Sequence, residues 1–193
     1  MCDAASARPF GAPLLTRRRA LGTLAWGGLL LSAGAAGSAR ATGSGSRRLT
    51  LHNTHTLESL SVEYWHDGGY RDDALAAVDH VLRDHRDGTA HRIDPALLDL
   101  LCATAAATGR DPEFEVISGY RSPATNAALH ARSDGVAAHS LHVLGRAIDV
   151  RLVGCDLERL RDAALAQGGG GVGYYPGPQF VHLDTGRVRH WTG

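Results

Sequence analysis

Asp149 is the residue that most restricts what this chain can become. It stands in Ala147-Ile148-Asp149-Val150, an apolar stretch with the alternation of a β-strand, where an unpaired carboxylate is costly to bury. Arg146 or Arg151 would neutralise it as a salt bridge, and a cation would neutralise it as a ligand. His142 lies upstream in Ser140-Leu141-His142-Val143-Leu144-Gly145, and Gly145 lets the chain turn between the histidine at a loop end and the aspartate on the next strand. His182 repeats the logic as a polar residue in the strand-like Phe180-Val181-His182-Leu183. If the two strands are neighbours in one sheet, His142, Asp149 and His182 can converge on a single ion. Two nitrogens and one carboxylate, with no sulfur, suit zinc that keeps a fourth position for water, the arrangement of catalytic sites. Asp184 follows His182 by two residues and so points to the same face of the strand. It is the nearest candidate for a general base; its alternative role is to orient His182.

The rest of the chain frames these residues. Leu49 to Trp65 alternates on either side of an Asn-Thr-His break and predicts a β-hairpin. Helical spacing of apolar residues begins at Asp72 and predicts a helix running to about Asp87-Gly88. Asp94-Pro95 opens a second helix that closes at Gly109, and Asp156 opens another that stops at the run Gly168–Gly171. Phe114 to Tyr120 reads as a strand, Ser122 to Ala131 as a short helix, and Val172–Tyr175 and Gln179–Thr185 as strands joined by Pro176-Gly177-Pro178. Helices in the first half and strands mixed with helices in the second predict an α+β domain. His52, His55, His66, His80, His85, His91 and His130 fall in polar contexts and read as solvated or packing residues.

The chain divides at about residue 41. Before it come a basic start, an apolar run from Leu21 to Ala36 and the small-residue site Ala39-Arg40-Ala41, a secretory pattern. Thr16-Arg17-Arg18-Arg19-Ala20-Leu21 resembles a twin-arginine export signal, so residues 1–41 are expected to direct export and residues 42–48 to form a flexible leader. The apolar run is short and rich in Gly and Ala, against a stable membrane anchor. Beyond residue 41 the chain carries fifteen arginines and nineteen acids, a balance that gives no reason to expect nucleic acid as a partner. Cys102 and Cys155 read as small buried residues, with one disulfide between them left open.

Taken together, Ile117-Ser118-Gly119-Tyr120-Arg121-Ser122-Pro123-Ala124-Thr125-Asn126, the stretch Ser140 to Asp149, and Gly170 to Trp191 resemble the zinc D-Ala-D-Ala metallopeptidase superfamily, which includes the hedgehog fold. More narrowly they are similar to its YcbK-like, or murein endopeptidase K, branch, over about Leu49 to Trp191. The resemblance implies a small antiparallel sheet carrying one zinc ion, flanked by helices, in a single domain over residues 49–193. His142, Asp149 and His182 then match the metal ligands. Arg121 matches the family residue that binds the substrate carboxylate or polarises its carbonyl, and Ser118 can add a hydrogen bond. Many relatives carry a catalytic acid three residues before the last histidine, where this chain has Gln179. Asp184 therefore stands as the expected base, with His139 and His190 as lesser candidates for stabilising the transition state.

The implied function is that of a periplasmic zinc peptidase acting on peptidoglycan stem peptides or cross-links. An L,D-endopeptidase at bridges between meso-diaminopimelate residues is expected. A D,D-carboxypeptidase or D,D-endopeptidase would use the same zinc, and a non-catalytic peptidoglycan-binding module would keep it for stability.

Overall fold

The computed structural model describes residues 45–133 and 135–193. The expected export segment, 1–41, lies outside the described residues. Thirteen elements follow one another as β1 (Ser46–Asn53), β2 (Ser59–His66), β3 (Gly69–Tyr70), α1 (Asp72–Val81), α2 (Pro95–Thr108), β4 (Glu113–Ser118), α3 (Pro123–His130), a 3₁₀ turn (Leu141–Leu144), β5 (Ala147–Leu152), α4 (Leu157–Gln167), β6 (Gly171–Tyr175), β7 (Phe180–Asp184) and β8 (Arg189–Thr192). Because β1 begins at Ser46, the last three residues of the expected leader belong to the sheet.

The fold is α+β, but its sheet is neither small nor purely antiparallel. Eight strands run in the order β3-β2-β1-β4-β5-β7-β6-β8, with β1/β4 and β6/β8 parallel. β4 runs parallel to β1 after a hairpin and two helices have returned the chain, and β8 runs parallel to β6 because the antiparallel strand β7 lies between them in sequence. β8, which completes the sheet on the side of the site, was not foreseen.

Alternation along the strands separates the two faces. Leu49, Leu51, Phe114, Val116, Ile148, Val150, Val172, Val181 and Leu183 are buried in one core with Leu97, Leu98 and Leu101 of α2 and Leu160 of α4. Each such side chain contributes about 1.5–3 kcal/mol on full burial. The opposite face carries Asp149, His182 and Asp184.

Helix ends explain two boundaries. Asp94 accepts from the Ala96 amide, Pro95 occupies the first turn and left-handed Gly109 closes α2, as the sequence predicts. Asp156 stands at the N-terminus of α4 but makes no side-chain capping bond. Helix α1 stops at Val81, short of the predicted Asp87-Gly88, because its last carbonyls are captured by tertiary partners. Asn53 donates to the Val81 carbonyl (2.9 Å) and the Tyr120 amide to that of Leu82 (2.8 Å). Cys102 and Cys155 are both free thiols. Among the described residues no helix is long and apolar enough to cross a membrane.

Candidate metal centre and its cleft

A single cross-strand row builds the site. Ser118 of β4 pairs with Asp149 of β5, Asp149 with His182 of β7, His182 with Gly173 of β6, and Gly173 with Trp191 of β8. Period-two alternation after Phe114 and Val116 would send Ser118 to the helix face. A bulge between Val116 and Ser118 turns it instead to the face of Asp149.

His142 reaches the row from the 3₁₀ turn, whose Ser140 accepts from the His142 amide and whose left-handed Gly145 closes it. A Cβ on Gly145 would lie against the Arg92 backbone, so this tight approach requires glycine. The loop carrying Arg121 is docked from three sides. Its Tyr120 amide meets Leu82, the Arg121 amide donates to the His142 carbonyl (3.2 Å), and the Ser122 amide donates to the buried Asp84 carboxylate (2.9 Å).

Hydrogen bonding fixes the tautomer of His142 and the orientation of the His182 ring. His142 Nδ1 lies 2.7 Å from the Gly119 carbonyl, which can only accept, so Nδ1 carries the proton and Nε2 presents a lone pair. Asp184 is fully buried and holds the Arg189 guanidinium through both oxygens (2.7 and 3.0 Å) and the amides of Gly171 (3.0 Å) and Gly186 (2.8 Å). It also accepts from His182 Nε2 at 3.1 Å, which turns Nδ1 towards Asp149; a proton there is shared with the Asp149 carboxylate, and Nδ1 becomes the second lone pair when a cation takes that proton's place.

These lone pairs face each other at 3.3 Å and share Asp149 Oδ1, at 3.4 Å from His142 and 2.8 Å from His182. One ligand atom from each residue fits within 4.8 Å of the others. Three acceptors meeting at such range repel unless a cation or proton lies between them, so the donor set fits a metal ion bound by two nitrogens and one oxygen. Without a cation, the electrostatics put a proton in that place. Burial drives the His182 imidazole down, but hydrogen bonds to Asp149 and Asp184 push it up to about 9. Burial raises the Asp149 carboxyl, and His142 and His182 pull it well below the usual carboxylate range. Neither Arg146 nor Arg151 pairs with Asp149; they bind Asp94 and Glu115 instead.

Arg121 stands beside the three donors, 9% exposed, with its guanidinium 3.9 Å from Asp149 Oδ2. It donates to Ser118 Oγ and to Asn126 Oδ1, both at 3.3 Å, while its buried Nε–H has no partner among the described residues. Burial lowers its pKa. All of this opens into a cleft of about 510 Å³ whose far wall is Tyr175, Phe180, Arg189 and Trp191.

The expected site residues therefore separate. His142, Asp149, His182, Arg121 and Ser118 come together, and His139 lies on the cleft wall. His190 is exposed and does not line the cleft. Asp184 shares the strand face of His182 but sits behind the imidazole, on the side away from Asp149, and does not line the cleft. Sealed from solvent and already accepting five hydrogen bonds, it is poorly placed to take a proton from a cleft water.

Sequence reasoning missed Tyr175, Arg189 and Trp191. Gly171-Val172-Gly173 held the signal. A Cβ on Gly173 would come within 2.6–2.9 Å of the Trp191 indole, and one on Gly171 would collide with Arg189 and Asp184. The two glycines make a trough in β6 across which side chains of β8 reach those of β7.

The family model described as peptidoglycan L,D-endopeptidase MepK matches residues 41–191. The peptidoglycan L,D-endopeptidase MepK of Escherichia coli (strain K12) is 46% identical over 145 residues, 75% of this chain and 80% of that protein. The probable peptidoglycan L,D-endopeptidase MepK of Haemophilus influenzae is 42% identical over 148 residues, 76% of this chain and 80% of that protein. No solved structure matches. With two convergent lone pairs and a carboxylate beside a buried arginine, and a family match that runs through every one of these residues, the chain belongs to the peptidoglycan L,D-endopeptidase MepK family of M15 peptidases.

Proposed function

We propose that this protein is an exported zinc endopeptidase that hydrolyses the amide between two meso-diaminopimelate residues of peptidoglycan. The observation that carries the reading is the meeting of His142 Nε2, His182 Nδ1 and Asp149 Oδ1 at the floor of a cleft walled by Arg121. Family membership and the MepK name of the 46% identical relative support the substrate.

Zinc held by these three residues supplies Lewis acidity, acidifying water and polarising a carbonyl. The protein's own groups do the rest. In the bridge, the scissile nitrogen is attached to a carbon that bears a free carboxylate. Arg121 is suited to that carboxylate, because its guanidinium is a planar fork and its Nε–H is a buried donor without a protein partner. Ser118 and Asn126 hold the guanidinium in place. Asp184 keeps His182 turned so that Nδ1 faces the cleft, the orienting role rather than that of base. Residues 1–41 direct export, which places the protein where peptidoglycan is.

Digestion of purified sacculi, followed by separation of the muropeptides, tests the reading. Disappearance of dimers bridged between two diaminopimelate residues, with other dimers retained, is the expected result. Loss of dimers bridged through D-alanine would make the protein a D,D-endopeptidase, and unchanged dimers with zinc bound would make it a binding module. His142→Ala should abolish both zinc retention and cleavage.

A further inference from the structure

Tyr175 lies on the cleft wall in a fixed pose that leaves its hydroxyl proton unused. The indole Nε1–H of Trp191 donates to the Tyr175 oxygen at 2.8 Å. An indole N–H can only donate, so the phenol is the acceptor in this bond and its own O–H remains free to donate elsewhere. Among the described residues no other hydrogen-bond partner takes it.

The pose is built, not incidental. Phe180 stacks on the Tyr175 ring with centroids 4.5 Å apart, and Trp191 is clamped between the Arg189 guanidinium (4.9 Å) and the His182 ring (5.2 Å). Gly173 lets the indole lie flat across β6, since any side chain there would collide with the edge that bears Nε1. Tyr175 shares the strand face of Gly173, two residues on, and Gly173 is the direct cross-strand neighbour of His182. The phenol thus lines the same cleft as Arg121 and the floor that His142, Asp149 and His182 form. Tyr174, by contrast, faces α4, with Arg161 over its ring at 4.6 Å.

We propose that Tyr175 is a catalytic hydrogen-bond donor to the oxygen on which negative charge develops during hydrolysis. This rests on the endopeptidase reading above. Water adds to the amide carbon, the C=O π pair moves onto oxygen, and the Tyr175 O–H donates to that oxyanion without giving up its proton. When the tetrahedral centre collapses, the carbonyl re-forms and the C–N bond breaks. The proton lost by the attacking water ends on the departing amine, so amide and water give one carboxylic acid and one amine. Trp191 acts as a positioning residue, because its N–H occupies the oxygen lone pair and fixes the direction of the O–H.

The experiment uses the purified full-length protein loaded with zinc, with a diaminopimelate-bridged muropeptide dimer as substrate. Tyr175→Phe removes the hydroxyl and keeps the ring, and is expected to lower kcat on the order of 10²-fold with KM changed less than threefold. Zinc content and thermal midpoint should stay at the wild-type values. Trp191→Phe keeps a ring against His182 but loses the N–H, and should lower kcat by about tenfold, the worth of one hydrogen bond. Tyr174→Phe serves as the matched control and should leave both constants unchanged. A Tyr175→Phe protein with kcat within threefold of wild type overturns the proposal and leaves the endopeptidase reading intact. So does a loss of turnover accompanied by an equal loss of zinc. A wild-type protein inert towards every dimer overturns both.

Discussion

At the scale of single residues, the site is organised by which nitrogen of each histidine carries its proton. The Gly119 carbonyl decides this for His142, and Asp184, by taking the Nε2–H of His182, turns Nδ1 towards Asp149. Replacing Asp184 with Asn removes a charged acceptor from behind His182. Zinc affinity is then expected to fall about 10- to 100-fold, as measured by competition with a chromophoric chelator. The metal-free protein should also lose about 2 kcal/mol in urea unfolding, because the Arg189 guanidinium loses its charge-assisted partner. A base would behave differently, with full zinc affinity and no turnover. The three convergent donors and Arg121, which the structure brings together, were legible because each is a polar residue in an otherwise apolar or motif-rich stretch. Period two put Asp184 on the strand face of His182, where it lies, but could not say that an imidazole stands between it and the cleft.

At the scale of elements, one feature is purely steric and one is electrostatic. Gly173→Ala is expected to push Trp191 off His182 and destabilise the fold by about 1–3 kcal/mol, the range for inserting a methyl into a packed site. The shift should appear as a change in tryptophan emission. The electrostatic feature is Asp84, which ties the end of α1 to the Arg121 loop. Burial raises its pKa, but hydrogen bonds from Thr125 and from the amides of Arg86 and Ser122 outweigh this and leave it below the ordinary carboxylate value. A folded pKa below the unfolded value of about 3.9 means that the stabilisation is fully present above that pH and is lost as pH falls through the folded value. Asp84→Asn should therefore be less stable than wild type at pH 7, with the difference shrinking towards pH 2 in a denaturation series. The early stop of α1 and the bulge at Ile117 were illegible for one reason: each is imposed by a partner distant in sequence, Tyr120 and Asn53 in one case and β5 in the other.

At the scale of the whole molecule, the chain separates packing from chemistry. Residues before Glu113 supply three of the sheet's outer strands and two of the helices on its covered face, while the cleft is built from residues 118–191. Local patterns made most elements readable, from the hairpin to α2 and the strands of the second half. The strand order, the two parallel pairings and the existence of β8 depend on long-range pairing that periodicity does not encode. Metal should couple to global stability. At free zinc one hundred times the dissociation constant, binding only to the folded state adds about 2.7 kcal/mol. Chelation is thus expected to lower the thermal midpoint, and His142→Ala should be insensitive to added chelator.

The cross-strand row from Ser118 to Trp191 has a consequence for how the molecule can be assembled. Its members are held in line only by strand register, and a slip of β7 by one residue would replace His182 with Val181 or Leu183 and swing the imidazole to the helix side. Metal capture at the proposed site would then serve as a proofreading signal: a chain that takes up the ion during refolding has set β5 and β7 in their native alignment and brought the 3₁₀ turn against them.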